Sequence, residues 1–261
     1  MAINNSVELI QPNTDGFSLP CGYITASGEL INYVEVHGLT GDDEETLAAK
    51  NMPVVKKMNK ILSNCTKAIG DITDPNMIKN IIPDLTQGDR MYLLFAIRRV
   101  SLGDDFPFTA ECPECEAKQN LTINLGDLDI KKMPDPKIRT YEVILPRSGK
   151  KASMKVLTGR GEENIAKASA VGRDVITTAI WARMDGLDGL PTSVEALKKL
   201  ELADRNQLRD AWQDHEGGVE TSVEAQCTNC DAEYTTEVDM GSQGFFNPLA
   251  QLKAWKGKSN A

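Results

Sequence analysis

What this chain has least of is reactive side chains. Its 261 residues include two histidines, and aromatics make up only 5%. His215 precedes Cys227 by too many residues to complete a metal knuckle, and His37 offers no more. No G-x-S-x-G, G-x-x-x-x-G-K-[ST] or H-E-x-x-H run occurs, so the signatures of a serine hydrolase, a phosphate loop and a zinc protease are all missing. Asp104-Asp105 has no evident acid/base partner, and Asp42-Asp43-Glu44-Glu45 lacks calcium-loop spacing. The expectation is a protein that is not an enzyme and takes no small-molecule substrate. Long apolar runs are also lacking, which argues against a membrane span. Positive charge is in deficit: 29 Lys and Arg face 38 Asp and Glu, for a formal net charge of −9. That balance opposes binding to a phosphate backbone, so no nucleic-acid partner is expected. The one basic stretch (Lys150, Lys151, Lys155, Arg160) is mixed with Glu162 and Glu163 and reads as a solvated hairpin edge. Residues Met1 to Glu8 lack the basic start and apolar stretch of a secretory leader. Synthesis in a reducing cytoplasm is expected, where C-x2-C pairs bind metal more often than they form disulfides.

Two such pairs are present, Cys112-Pro-Glu-Cys115 and Cys227-Thr-Asn-Cys230. Each lies between strand-like runs: Phe106–Ala110 and Asn120–Leu125 around the first, Thr221–Ala225 and Ala232–Val238 around the second. Such pairs can be ordinary core thiols or separate reducible pairs. Two clips with the same flanks, however, supply the two halves of one tetrahedral Zn²⁺ site. The expected site is Cys112, Cys115, Cys227 and Cys230 around one structural Zn²⁺ per chain. Four cysteines close the coordination sphere, so the metal would stabilise and not catalyse. Cys21 and Cys65 have no partner at ligand spacing, and Cys65 falls on an apolar helical face as a buried small residue.

The interval between the knuckles reads as one copy of an internal duplication. Asp89-Arg90 and Asp204-Arg205 are 115 residues apart, as are Cys112 and Cys227. Leu39-Thr-Gly-Asp-Asp-Glu-Glu45 matches Leu157-Thr-Gly-Arg-Gly-Glu-Glu163 at a separation of 118. The expected fold class is α+β, a hairpin–helices–knuckle module present twice, with the copies joined at a pseudo-twofold by the shared four-cysteine, zinc-ribbon-like site. The boundaries are an N-terminal arm 1–16, a first module 17–126, a linker 127–138, a second module 139–240 and a C-terminal tail 241–261.

Within the first module, Tyr23–Thr25 and Ile31–Val36 predict a hairpin, with Tyr141–Leu145 and Ala152–Val156 as its counterpart. Asp42 and Glu45 suggest a capped, acidic helix start. The helix breaks at Met52-Pro53 and resumes to Cys65 on Val54, Val55, Met58, Ile61 and Leu62, and Gly172 supplies a matching break in the second module. A short segment from Met77 ends at Pro83, and Thr86–Asp89 opens a helix carrying Met91, Leu94, Phe95 and Ile97. Further helical runs are Val175–Met184, Val194–Leu200 and Asp204–Asp214. In the tail, Phe245, Phe246, Leu249, Leu252 and Trp255 approach helical spacing. Such a segment either packs on its own domain or docks a partner, and Phe245, Phe246 and Trp255 are the candidates for docking.

Four segments together, Leu19-Pro-Cys-Gly22, Leu39–Glu45, Ile97-Arg-Arg-Val-Ser-Leu-Gly103 and Cys112-Pro-Glu-Cys115, resemble the T4-type baseplate proteins of tailed bacteriophages. The likeness covers mainly residues 17–125 and, more faintly, 139–240. Cys21 stands where a small polar residue is expected, and the second module lacks the Arg-Arg motif. The resemblance implies a non-enzymatic part of a contractile-tail baseplate, in its hub or wedge region. It would bind other tail and baseplate proteins, reside in the virion and be assembled in the host cytoplasm. Two rivals remain: an assembly chaperone absent from the mature virion, and a zinc-ribbon adaptor binding a host protein.

Overall fold

In the computed structural model, residues 16–238 except 173, together with Phe245 and Phe246, are described. Strands β1 (Gly16–Ile24) and β2 (Leu30–Val36) form the first hairpin, and β1 carries a register shift between Ser18 and Tyr23. Its turn uses Gly28 at φ 83°, a left-handed conformation that glycine adopts freely. Helices α1 (Gly41–Ala48) and α2 (Val54–Cys65) follow, separated at Pro53 as expected. Thr40, not Asp42, caps α1. The Asp43 carboxylate reaches back to accept from Thr40 N–H (3.0 Å) and Thr40 Oγ1 (2.8 Å), while Asn64 Nδ2 donates to its other oxygen at 2.9 Å. Asp43 is the member of the acidic run that turns inward, so it performs the capping-box task assigned to its neighbours.

The chain leaves α2 directly into β3 (Thr66–Ile69), a strand not foreseen from the sequence. β3 pairs with β2, completing an antiparallel sheet of order β1-β2-β3. Helix α3 (Pro75–Ile81) is capped by Asp74, whose carboxylate accepts from Asn76 and Met77 N–H, and a 3-10 turn ends it at Pro83. Helix α4 (Gln87–Leu102) is capped by Thr86 and lies over the first sheet. Val34, Val36, Ile61, Leu62, Ile69, Ile82, Leu93 and Ile97 close this first core.

From α4 the chain enters β4 (Asp105–Glu111) and β5 (Lys118–Asn124), a two-stranded hairpin with the first knuckle at its tip. The short strand β6 (Ile130–Lys131) then leads to β7 (Thr140–Ile144) and β8 (Lys151–Lys155). Helices α5 (Gly159–Ala170) and α6 (Val175–Ala182) are followed at once by β9 (Met184–Leu187). The second sheet has the order β7-β8-β9, the same succession as the first. Helices α7 (Val194–Lys198) and α8 (Leu202–His215) precede β10 (Gly218–Val219) and the second knuckle hairpin, β11 (Ser222–Gln226) and β12 (Glu233–Glu237). The result is a mixed α+β chain with 39% helix and 29% strand.

Two seams join its halves. In the first, Gln87 N–H donates to Leu157 O (2.8 Å) and Gly159 N–H to Leu85 O (3.1 Å). Arg90 Nε meets Glu162 at 2.8 Å beside this bridge, and Arg160 pairs with Asp84. In the second, β6 pairs with β10, Met133 N–H donates to Pro20 O, and Arg139 Nη2 donates to Cys21 O and Gly22 O. Residues 127–138 thus contain a strand and a buried Met133. The bodies do not meet as a twofold pair. Leu85–Gln87 contacts Leu157–Gly159, whereas among the described residues no counterpart contact links Leu200–Leu202 to Leu39–Gly41.

Candidate metal centre

Each knuckle is one turn built twice. Cys112 N–H donates to Ala117 O (3.0 Å) and Glu116 N–H to Cys112 O (2.9 Å); Cys227 N–H donates to Ala232 O (2.9 Å) and Asp231 N–H to Cys227 O (3.0 Å). Each turn closes on a residue in left-handed geometry, Glu116 at φ 58° and Asp231 at φ 57°. That conformation reverses the chain tightly enough to present the second sulfur beside the first.

The two hairpin tips then face each other. All four Sγ atoms lie within 4.8 Å of one another, a cluster that could hold a metal ion. Cys112 is 3.7 Å from Cys230, and Cys115 is 3.6 Å from Cys227. A tetrahedron with metal–sulfur bonds of about 2.3 Å has edges of about 3.8 Å, so the four sulfurs match a Zn²⁺ site in number and the two cross-hairpin contacts match its edge length. Here the cross-pairing does obey a local twofold, because exchanging the knuckles carries one sulfur pair onto the other. Cys112 and Cys227 are buried with Ala110 and Tyr234, Cys115 is half-buried, and Cys230 faces solvent.

Electrostatics separates the thiols. The side-chain amide of Asn229, then the Ala117 backbone, pull the Cys115 thiol down to about 6. The Ala232 amide favours a thiolate at Cys230, but hydrogen bonding to Cys115 and desolvation outweigh it and push that thiol up to about 12. Among sulfurs this close, negative charge on one disfavours it on the next, and a divalent cation among them would remove the conflict.

Two further residues tie the knuckles together, and neither was foreseen. Gln119, on β5, donates from Nε2 to Cys227 Sγ (3.3 Å), and its Oε1 accepts from Thr228 N–H (3.1 Å) and Thr228 Oγ1 (2.8 Å). Asn229 Nδ2 reaches back to Cys115 Sγ at 3.5 Å. The period-two alternation of β5 was the available signal, since it puts Gln119 on the inward face with Leu121 and Ile123.

A family model described as "T4 bacteriophage base plate protein" matches residues 34–247, which is 214 of the 261 residues. The chain belongs to this family. No curated protein and no solved structure matches it. Membership gives the baseplate protein a structural role in the phage tail, with other tail proteins as partners. No helix among the described residues is long and apolar enough to cross a membrane.

The C-terminal aromatics of the baseplate protein take different places. Phe245 is 1% exposed and packs edge-on against Phe95, with centroids 5.3 Å apart, and against Phe106. Its carbonyl accepts from Arg98 Nε at 2.9 Å. The Phe245 ring is thus enclosed in its own core in this structure. Phe246 is half-buried against Phe245, and Trp255 lies outside the described residues. Arg98 explains the anchoring: buried in α4, it donates to the carbonyls of Phe245, Gly103 and Asp105. The other candidates take structural places. Cys21 and Cys65 are buried, and burial pushes both thiols up, to about 11 and about 12. His215 stacks on Tyr141 at 3.9 Å and contacts Ala211 O.

Proposed function

We propose that this protein is a rigid bracket in the hub or wedge region of a contractile-tail baseplate. A duplicated module, 17–126 and 139–240 joined by 127–138, would share one structural Zn²⁺ held by Cys112, Cys115, Cys227 and Cys230. The convergence of four sulfurs from two separate hairpins carries this reading. A closed set of four thiolates leaves no open coordination position, so the ion would fix geometry rather than activate water. Gln119 and Asn229 would orient the sulfurs.

Equivalent bonds at equivalent positions support the duplication. Arg90 Nη1 donates to Ile82 O at 3.0 Å, and 115 residues on Arg205 Nη1 donates to Leu197 O at 3.0 Å. The bridges Ile69–Ile72 and Leu187–Leu190 are likewise 118 apart. Shared ancestry of the two halves accounts for both regularities at once.

Quantitative mass spectrometry of purified particles, with elemental analysis of the isolated chain, tests the proposal. A fixed copy number and one zinc per chain are expected. Absence from mature particles would replace the bracket by an assembly chaperone, and co-purification with a host protein alone would favour an adaptor. A chain that folds metal-free with full stability would remove the zinc.

A further inference from the structure

The first seam is a head-to-tail contact between the two modules, and its two surfaces recur, with no counterpart contact among the described residues, on the far side of each module. On the donor side, Leu85-Thr86-Gln87 corresponds to Leu200-Glu201-Leu202, 115 residues later. Thr86 has φ −64° and ψ 157°, and Glu201 has φ −61° and ψ 154°. On the acceptor side, Leu157-Thr158-Gly159 corresponds to Leu39-Thr40-Gly41, 118 residues earlier. Thr158 has φ −112° and ψ 170°, and Thr40 has φ −108° and ψ 174°. The backbone that makes the bridge is therefore already shaped at both free ends.

Both ends are open. Thr40, Gly41, Glu201 and Leu202 are exposed, Leu202 at 66%. Ile176, 64% exposed on α6, occupies the place that Met58 holds on α2, the helix that packs on α5 across the seam.

The charges are complementary as well. Asp84 pairs with Arg160 in the seam; the corresponding residues at the open ends are Lys199 and Asp42, the same pair with its signs exchanged. Arg90 pairs with Glu162; the corresponding residues are Arg205 and Glu44, with signs kept. Lys199, Asp42 and Glu44 are exposed, and among the described residues none has an ion-pair partner. Arg205 donates to Leu197 O and Thr177 Oγ1 and has no carboxylate at ion-pair distance among them. Chance preservation of one pair is cheap, but a second pair preserved by exchanging both signs requires two matched changes.

We propose that the occupant of each open end is a second copy of this chain. Leu200–Leu202 of one copy bridges Leu39–Gly41 of the next, with Lys199 on Asp42 and Arg205 on Glu44, so the joint inside each chain is repeated between chains. A heterologous contact of this kind propagates into a ring or a filament according to its rotation. The proposal rests on the module equivalence stated above.

Sedimentation of the purified full chain across a concentration series tests it. Wild-type protein should form concentration-dependent oligomers that weaken with added salt. Asp42→Lys or Lys199→Asp alone should weaken association by about tenfold or more, because each sets like charges against one another. The double variant carrying both changes restores opposite charges at every joint and should recover assembly. A wild-type chain that stays monomeric to its solubility limit overturns the proposal, as do single reversals that leave assembly unchanged. Zinc content, measured on the same samples, should remain one per chain in every variant. It reports on the shared metal site separately from self-association.

Discussion

Asp89 and Asp204 stand 115 residues apart, both buried, and their carboxyls are displaced in opposite directions. Asp89 is raised, first by desolvation. Its Oδ1 accepts from Cys21 and Gly22 N–H, while its Oδ2 is buried with no hydrogen-bond partner among the described residues. Desolvation acts on Asp204 too, but the Arg147 and Ser148 amides occupy both of its oxygens and hold it below the usual range. A raised carboxyl costs stability above its unfolded value of about 3.9, because the unfolded state ionises first. Asp89→Asn should therefore raise the melting temperature at neutral pH, with the gain vanishing as pH falls below about 4. Asp204→Asn should lower it at neutral pH, since stability from a depressed carboxyl is present above the unfolded value and lost as pH falls through the folded one. Thermal melts at the two pH values decide both. At the metal centre, Gln119→Leu removes a donor to Cys227 and the acceptor for Thr228. Zinc affinity should fall about 10- to 100-fold in a competitive chelator titration, the usual cost of losing an outer-shell partner.

The elements show how a helix–strand junction was hidden. β3 and β9 each begin within a residue or two of a helix end, with no Gly or Pro to mark the change. Pairing to β2 and β8 draws these segments out of the helix. The other hidden strands, β6 and β10, are two residues long and exist because Gly88 lets the chain approach. A Cβ at Gly88 would lie 1.8 Å from Gly217 O. Gly88→Ala should thus push β10 off α4 and cost about 3 kcal/mol or more, measured by urea denaturation.

At the scale of the whole molecule, two protein seams hold the halves independently of the knuckles. Removing metal should therefore loosen the hairpins β4-β5 and β11-β12 first and leave the two sheets protected. Hydrogen exchange with and without a chelator would show this as lost protection confined to residues 105–124 and 222–237. Uniform loss across both sheets would mean that the ion carries the seams as well. Zinc occupancy should fall as pH falls, because each ligand must be a thiolate to bind and acid returns its proton.

The chain order of hairpin, helices and knuckle, the four cysteines and the 115-residue spacing could all be read from the residues. They are local patterns: turn signals, helical periodicity and a two-residue gap between thiols recur along the chain without reference to distant contacts. The cap on α1 was misplaced by two residues because four acidic side chains compete there, and only packing selects Asp43. The burial of Phe245 could not be read from the residues, because aromatic spacing is the same whether a ring is covered or bare. That the matched knuckles meet at one site could be expected from their repetition, but the 4.8 Å geometry of the four sulfurs, the burial of Phe245 against Phe95 and the head-to-tail seam were decided by tertiary structure. Each depends on which distant surfaces meet or on how a segment settles into a core, and neither periodicity nor spacing encodes that.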